Sequence, residues 1–307
     1  MSHTLPRKAF DAAVSLDFGL NDEERMVLDS IRRFARELRA QMRLSEAQGL
    51  DAGLIATGAA LGLTELDALG ERLLVRALEE LAWGDAAATL ALLGPVGVVD
   101  VDEHLLLEGD RLRGVLPYVP GIGECLQVLK GECLYTLTEG FEATPADVGA
   151  LQAAGAHCVT VDAVPTSVET LGAEGAAALS AQWRLSIAAM LVGVARAAYE
   201  HAREYCLERV SFGKKIAHHQ GVAFLLADMV TAVETARLSV DFAAASGSTD
   251  ARRQGYLQAV ESALFVTDYG VQLLGAAGYV SDHPVEKWMR EARALSLLLG
   301  GVDGALS

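Results

Sequence analysis

Apolar and polar positions follow three rhythms along this chain. Up to about Leu93 the rhythm is helical. Asn21-Asp22-Glu23-Glu24 opens it as a capping box, with the Glu24 carboxylate reaching back to the Asn21 amide. Val27, Ile31, Phe34 and Leu38 then recur at helical spacing with Arg and Glu between them, which predicts an amphipathic helix. A second helix is expected to begin at Thr64-Glu65-Leu66-Asp67, with Thr64 as its cap. Leu69, Leu73, Ala77, Leu78 and Leu81 make its stripe, and Gly84 ends it.

From Gly94 to Pro165 the period falls towards two, and Gly, Val and Pro become frequent. Residues 96–101, 112–119, 125–129, 133–137 and 157–161 read as strands. Glu108-Gly109-Asp110 and Lys130-Gly131-Glu132 read as tight turns between them. This is a small antiparallel unit, too short for a doubly wound nucleotide domain, and no GxGxxG follows a strand.

The helical rhythm returns near Leu179. One helix is expected from about Ser180 to Glu208, with Leu185, Ala188, Leu191, Ala195, Ala198, Ala202 and Tyr205 on one face. A second runs from His219 to Ala245, with Val222, Leu226, Met229, Val233, Ala236 and Val240. Ser248-Thr249-Asp250 caps a third carrying Leu257, Val260, Leu264, Val271 and Leu274, with Gly278 beyond its end. Pro284 starts a fourth with Val285, Trp288, Met289, Ala292 and Leu295, and Gly300-Gly301 stops it. The expected fold is mainly α with a small β domain. A helical domain covers 1–93, a reduced antiparallel β domain 94–165 and a four-helix bundle 166–307.

Composition narrows the function classes. The 307 residues carry a net charge of −16, with 51% hydrophobic and 21% charged residues. Such acidity opposes an extended nucleic-acid or anionic-membrane surface, while single basic pockets for phosphate stay open. The opening stretch has no long apolar run and does not read as a signal peptide. Later apolar runs are interrupted by charges before a membrane span is reached. Cys125, Cys133, Cys158 and Cys206 form neither CxxC nor Cys/His ligand spacing, so no zinc site and a reduced, cytoplasmic setting are expected.

Two segments carry candidate chemistry. Arg209-Val-Ser-Phe-Gly-Lys-Lys215 and Gln220 sit between two long helices. Arg209 offers a planar fork for phosphate oxygens, Phe212 an aromatic face and Gly213 close backbone approach. The same residues also read as an ordinary interhelical loop with a salt-bridged arginine. Gln272-Leu-Leu-Gly275-Ala276-Ala277-Gly278-Tyr279 lets a ligand or another backbone come close, and equally reads as a helix C-cap.

Taken in order, RxxFG with Gln220, then Leu226-Ala227-Asp228-Met229 and Ala236-Arg237, then QxxGxxGY, then Pro284-Val285-Glu286-Lys287 and Arg290-Glu291-Ala292-Arg293 resemble the acyl-CoA dehydrogenase family. The resemblance is dense over 185–293. It is moderate over LNDEERMVLDSIRRFAREL and ALEELAWGDAA, and weak in the middle. It implies an FAD-dependent oxidoreductase acting on CH–CH groups of acyl-CoA thioesters in fatty acid metabolism. It also implies a homodimer, a tetramer, or a heteromer with a catalytic subunit. By motif, Arg209, Ser211, Phe212, Gln220, Gln272, Gly275 and Ala276 would contact FAD across a subunit boundary, Ala276 standing where the family has a glycine.

The resemblance also implies absences. One family position for the catalytic glutamate is Leu299 here, and the other is Trp183, next to Arg184, so no catalytic residue is assigned. Glu174 and Asp303 are the acids that could fold in instead. The Thr-Glu-Pro and Gly-Ser-Asp flavin platform has no counterpart, and Trp83, Trp183 and Trp288 all lie outside the middle region. Three readings follow: a full dehydrogenase, a non-catalytic partner subunit of a heteromeric dehydrogenase, and a flavin-free helical interaction protein. If a thioester binds, its pocket is expected between the bundle and the middle domain.

Overall fold

The computed structural model describes residues 20–306, apart from 64, 65, 67, 69, 95, 96, 101–103, 124, 147 and 148. The opening stretch and most of the expected second helix start, Thr64 included, therefore lie outside the described residues. Helix α1 (Asp22–Gln48) begins with both bonds of the capping box formed, Glu24 N to Asn21 Oδ1 at 2.9 Å and Asn21 N to Glu24 Oε2 at 2.7 Å. Its Leu28, Ile31, Phe34, Ala35 and Leu38 are buried. A short helix, α2 (Ala52–Ala60), follows without having been expected.

Helix α3 spans Glu71–Leu93, so Gly84 does not end it. The chain breaks there all the same. Asp85 leaves helical geometry (φ −160°, ψ 113°), and its carboxylate accepts from the amides of Ala87 and Ala88, capping the second half. The cause is a close crossing. A Cβ on Gly84 would stand 2.4 Å from the Ala35 carbonyl oxygen of α1, so only glycine fits.

The β region holds two four-stranded sheets. Its strands are β1 (Val98–Val99), β2 (Leu105–Glu108), β3 (Arg111–Pro120), β4 (Leu126–Lys130), β5 (Cys133–Leu137), β6 (Phe141–Pro145), β7 (Ala156–Ala163) and β8 (Ser167–Thr170). Their orders are β1-β4-β5-β8 and β2-β3-β7-β6. Pairing is antiparallel except for β1 with β4, which is parallel. Both expected turns form hairpins, β2–β3 and β4–β5. Leu105, Leu112, Leu116, Leu126, Val128, Leu137, Val159 and Val161 make their core.

The bundle is α4 (Gly172–Glu208), α5 (Gln220–Ser246), α6 (Thr249–Leu274) and α7 (Val285–Leu297), and Ser248 caps α6 as expected. Helix α4 starts several residues earlier than expected. It is also long and apolar enough to cross a membrane by length and composition, so charges do not cut every apolar run short. Its most apolar window is 67% buried inside the structure, as the bundle's central helix. Gly193 on α4 lets α3 approach, since a Cβ there would lie 2.3 Å from the Glu79 carbonyl oxygen. After α7 a single 3-10 turn at Leu298–Gly300 leads into a further short helix, α8 (Gly301–Leu306), where only a stop was expected.

A buried ion network ties the helices together. Arg196 of α4 pairs with Glu79 at 2.9 Å and Glu80 at 2.6 Å, Arg32 of α1 meets Glu80 at 2.9 Å, and Arg237 of α5 meets Glu79 at 3.0 Å. Burial alone would raise the Glu80 carboxyl, but Arg196 and Arg32 outweigh it and hold the group down to about 2. Helix α7 is anchored by Lys287, buried between Asp85 at 3.1 Å and Glu291 at 2.5 Å.

Candidate functional site

The segment after α4 closes into a hairpin. β9 (Val210–Ser211) pairs with β10 (Lys214–Lys215), with Ser211 opposite Lys214 and Val210 opposite Lys215. Its two turn residues, Phe212 and Gly213, both have positive φ, 51° and 77°. That is the pattern of a type I′ turn, which favours Asn-Gly and is unfavourable for a bulky first residue. The Ile216 amide donates to Arg209 O at 2.8 Å, and His219 Nε2 lies 3.2 Å from Ser211 O. The hairpin is thus held from below, while Phe212 stands 95% exposed at its tip.

Arg209 is exposed at the C-cap of α4, Gln220 is exposed at the start of α5, and Ser211 is half-buried. Lys214 is turned back on its own loop, donating to His218 O at 3.1 Å. Gln272, Gly275 and Ala276 are exposed where α6 passes into a 3-10 turn, and Gly275 has φ 59°. The topology brings the two groups to one end of the bundle. α5 connects α4 to α6 antiparallel to both, and Gly270 of α6 packs beside Ala198 of α4.

A separate cavity of about 660 Å³ lies between the sheets and the bundle, where a thioester pocket was expected. Its walls are β1, residues 116–120 of β3, and one face of α7 with the turn that follows. Leu299 lines it, 7% exposed, with φ 57°. Its backbone is pinned by Arg184, which donates to Leu299 O at 2.9 Å and to Ser180 Oγ at 2.7 Å. Trp183 lies against Gly97, where a Cβ would come within 2.2 Å of the indole. Glu174 and Asp303 are exposed and are not among the cavity-lining residues.

Sequence reasoning gave no site role to five polar groups of this cavity: His104, Tyr118, Asp268, and the Arg290 and Arg293 that it had quoted only as part of a motif. The Tyr118 hydroxyl is buried without a hydrogen-bond partner, and burial together with the charge of Glu291 raises it to about 12. Behind it Glu291 is pushed up to about 7. Burial dominates that shift, because Lys287 is shared with Asp85. Arg290 faces the cavity already paired, with Glu46 at 2.7 Å and Glu286 at 2.8 Å.

These parts define a protein class first: helices, a two-sheet β unit and a four-helix bundle, with a cavity between sheet and bundle. The comparisons name the family. Residues 159–303 match the acyl-CoA dehydrogenase C-terminal domain. The short-chain specific acyl-CoA dehydrogenase of Clostridium acetobutylicum is 41% identical over 123 residues, 38% of this chain and 32% of that one. The solved butyryl-CoA dehydrogenase of Megasphaera elsdenii has a TM-score of 0.80 at 23% identity, covering 94% of this chain and 97% of that one. The Tcur3481–Tcur3483 steroid ACAD has a TM-score of 0.76 at 22% identity, covering 93% and 96%. Residues 159–303 thus resemble the acyl-CoA dehydrogenase C-terminal domain in sequence, and the described chain shares the fold of the solved acyl-CoA dehydrogenases. Its sequence match spans only about a third of the length of the curated relatives, 32% in the Clostridium acetobutylicum case.

The family's cofactor is FAD, and the two places fit it differently. The bundle end offers exposed donors, Arg209, Gln220 and Gln272, beside an exposed ring, Phe212, which suits one half of a dinucleotide site. The cavity suits it poorly. Pro117 and Pro120 on its β3 wall have no amide hydrogen to give a flavin edge, and its volume is that of a site for one drug-sized ligand.

Proposed function

We propose that this chain is a non-catalytic subunit of an oligomeric acyl-CoA dehydrogenase, an oxidoreductase of CH–CH groups in acyl-CoA thioesters. Leu299 carries the reading. It occupies the motif position of the family's proton-abstracting glutamate, lines the cavity and has no group that accepts a proton. Trp183, at the other motif position, is an indole packed on Gly97. A positioned base is worth roughly 10²–10⁴-fold in rate, so a chain without one is a poor catalyst on its own.

What remains suits service to a neighbour. FAD, when bound, supplies the hydride acceptor of this reaction. Arg209 would hold its diphosphate, and Phe212 would cover part of a ring. Ser211 and Gln220 would stand beside them, and the Gln272, Gly275 and Ala276 turn would meet the adenosine end. The half-site is open to solvent in this chain, and a second subunit carrying its own flavin platform would close it. The methyl of Ala276 points no clash into this chain, since the residue is exposed. A solved relative in fold, the Tcur3481–Tcur3483 steroid ACAD, is named for two components.

The test is to express the chain alone and with a flavin-bearing family member, then record visible spectra and oligomer mass. The reading expects little flavin alone and a flavin-containing complex with the partner. Flavin at one equivalent in the isolated chain, bleached by an acyl-CoA, would overturn it in favour of a complete dehydrogenase.

A further inference from the structure

Two histidines meet where the chain enters α7. His201 lies on α4, and His283 lies in the link, residues 280–284, between the turn after α6 and α7. His201 Nε2 and His283 Nδ1 are 3.0 Å apart, so one of these nitrogens carries a hydrogen and the other accepts it. The two rings meet edge to face at 5.3 Å. Trp288 of α7 stands edge-on to His201 at 5.8 Å, and Tyr205 of α4 edge-on to His283 at 5.6 Å. The link is also tied by its backbone, since Arg43 of α1 donates to His283 O at 2.8 Å.

Charge around the pair is one-sided. Arg39 of α1 lies over Trp83 and Trp288, 4.2 and 4.8 Å from their ring centres, and donates to Trp83 O at 3.0 Å. It makes no ion pair among the described residues. The acids nearby are engaged elsewhere or face water. Glu200 of α4 accepts from the Trp83 indole at 2.6 Å, Glu286 of α7 pairs with Arg43 at 2.6 Å, and Glu204 of α4 and Asp282 of the link are exposed. Arg203 of α4 is half-buried. Burial first, then His283 and Arg39, oppose a proton on His201 and hold it down to about 4 from an ordinary 6.5.

We propose that the His201–His283 contact is an acid-released latch, which holds the link against α4 in neutral solution and lets it detach when the pair is protonated. One added proton leaves one acceptor between the rings. A second leaves two N–H groups facing each other beside Arg39. Once the link is open, His201 takes a proton at its ordinary value, so each fall in pH between 6.5 and about 4 favours the open form. The sign is specific to this pair. Glu291 of α7, raised to about 7, binds its proton more readily folded than unfolded, so acid strengthens the fold there and cannot release the link. The link starts where the 3-10 turn Gly275–Tyr279 ends. On the subunit reading above, opening it would loosen the turn of Gln272, Gly275 and Ala276, while the latch itself rests on this chain alone.

The experiment is amide exchange of the isolated full chain at pH 7, 6 and 5, each rate divided by the intrinsic rate at that pH, with proton NMR titration of the His201 ring as a second readout. Residues 280–288 include the hydrogen-bonded amides of His283 and Trp288. They are expected to lose protection about twentyfold between pH 7 and pH 5, while residues 185–200 of α4 keep theirs. His201→Phe keeps a ring against Trp288 but has no titrating nitrogen, and should flatten the pH dependence. Protection of the link that does not change with pH, a His201→Phe chain with the parent's dependence, a His201 ring that titrates near 6.5, or equal losses throughout the bundle would each overturn the proposal. Neither flavin nor a partner takes part, so the latch and the subunit reading fail separately.

Discussion

Arg184 of the central bundle helix donates to the carbonyl oxygen of Leu299 at 2.9 Å, from 115 residues away in sequence. The bond fixes a leucine in the left-handed region, φ 57°, a conformation costing a non-glycine residue roughly 1–2 kcal/mol. The guanidinium also reaches Gly304 O, so one buried side chain organises the whole segment after α7. Burial lowers its pKa, yet an arginine in this position stays charged.

Removing that donor should therefore be costly and local. Arg184→Met keeps the stem but leaves two carbonyls without their partner. We expect a loss of about 2–4 kcal/mol in urea unfolding. Faster amide exchange should be confined to residues 298–306. A uniform increase over the bundle would show that Arg184 serves general packing instead.

Leu299→Glu places a carboxyl on the cavity wall at a position 7% exposed. Burial should raise its pKa in the folded state above the unfolded value of about 4.3. Such a group costs stability once pH exceeds the unfolded value, and the cost grows until the folded pKa is passed. The variant should therefore lie about 2 kcal/mol below the parent at pH 8 and close to it at pH 4. Melting temperatures at the two pH values check this. On the proposed subunit reading, the isolated variant should still oxidise no thioester, because that reading leaves the hydride acceptor to a partner.

Glu80 has the opposite sign. Its folded pKa of about 2 lies below its ordinary value of 4.5, so its stabilisation is complete above the ordinary value and is lost as pH falls through the folded one. A shift of that size corresponds to about 3 kcal/mol. Glu80→Gln should cost roughly that much at pH 7, and the gap to the parent should shrink steadily below pH 4. Denaturant midpoints across that range measure it. A gap independent of pH would mean that packing, and not the contacts with Arg196 and Arg32, accounts for the loss.

What could be read from the sequence followed local rules, and what could not was set by distant neighbours. The capping box at Asn21 and the cap at Ser248 are complete within four residues, so both were legible. The break at Asp85 was half legible. Gly84 marks it, but whether the helix stops or resumes depends on Ala35 across the crossing and on the Asp85 carboxylate. β6 and β8 were missed because their residues are mostly exposed and show no alternation. Motif spacing singled out Leu299, which lines the cavity, and Trp183, which packs against Gly97 of its wall. That Tyr118, Asp268 and Arg293 line one cavity could not be read, because a β-strand and two helices must pack before they face it.

The proposed assembly gives Phe212 a role that its own fold does not. At φ 51° in a two-residue hairpin turn, followed by glycine, it occupies a place that asparagine fills with least strain. Being 95% exposed, it returns almost no burial to its own chain. Phe212→Asn should accordingly stabilise the isolated subunit by about 1 kcal/mol, seen as a higher denaturant midpoint. In the complex the same change should act in the other direction. An exposed aromatic at a subunit boundary is the kind of side chain that dominates association, so its loss should weaken assembly with the flavin-bearing partner by at least about tenfold. Sedimentation of the mixed subunits against dilution measures that affinity, and Arg209→Ala, also exposed, should lower flavin retention in the complex without changing the midpoint. If Phe212→Asn left association intact, the hairpin tip would have no role at the boundary and its strain would have no functional explanation.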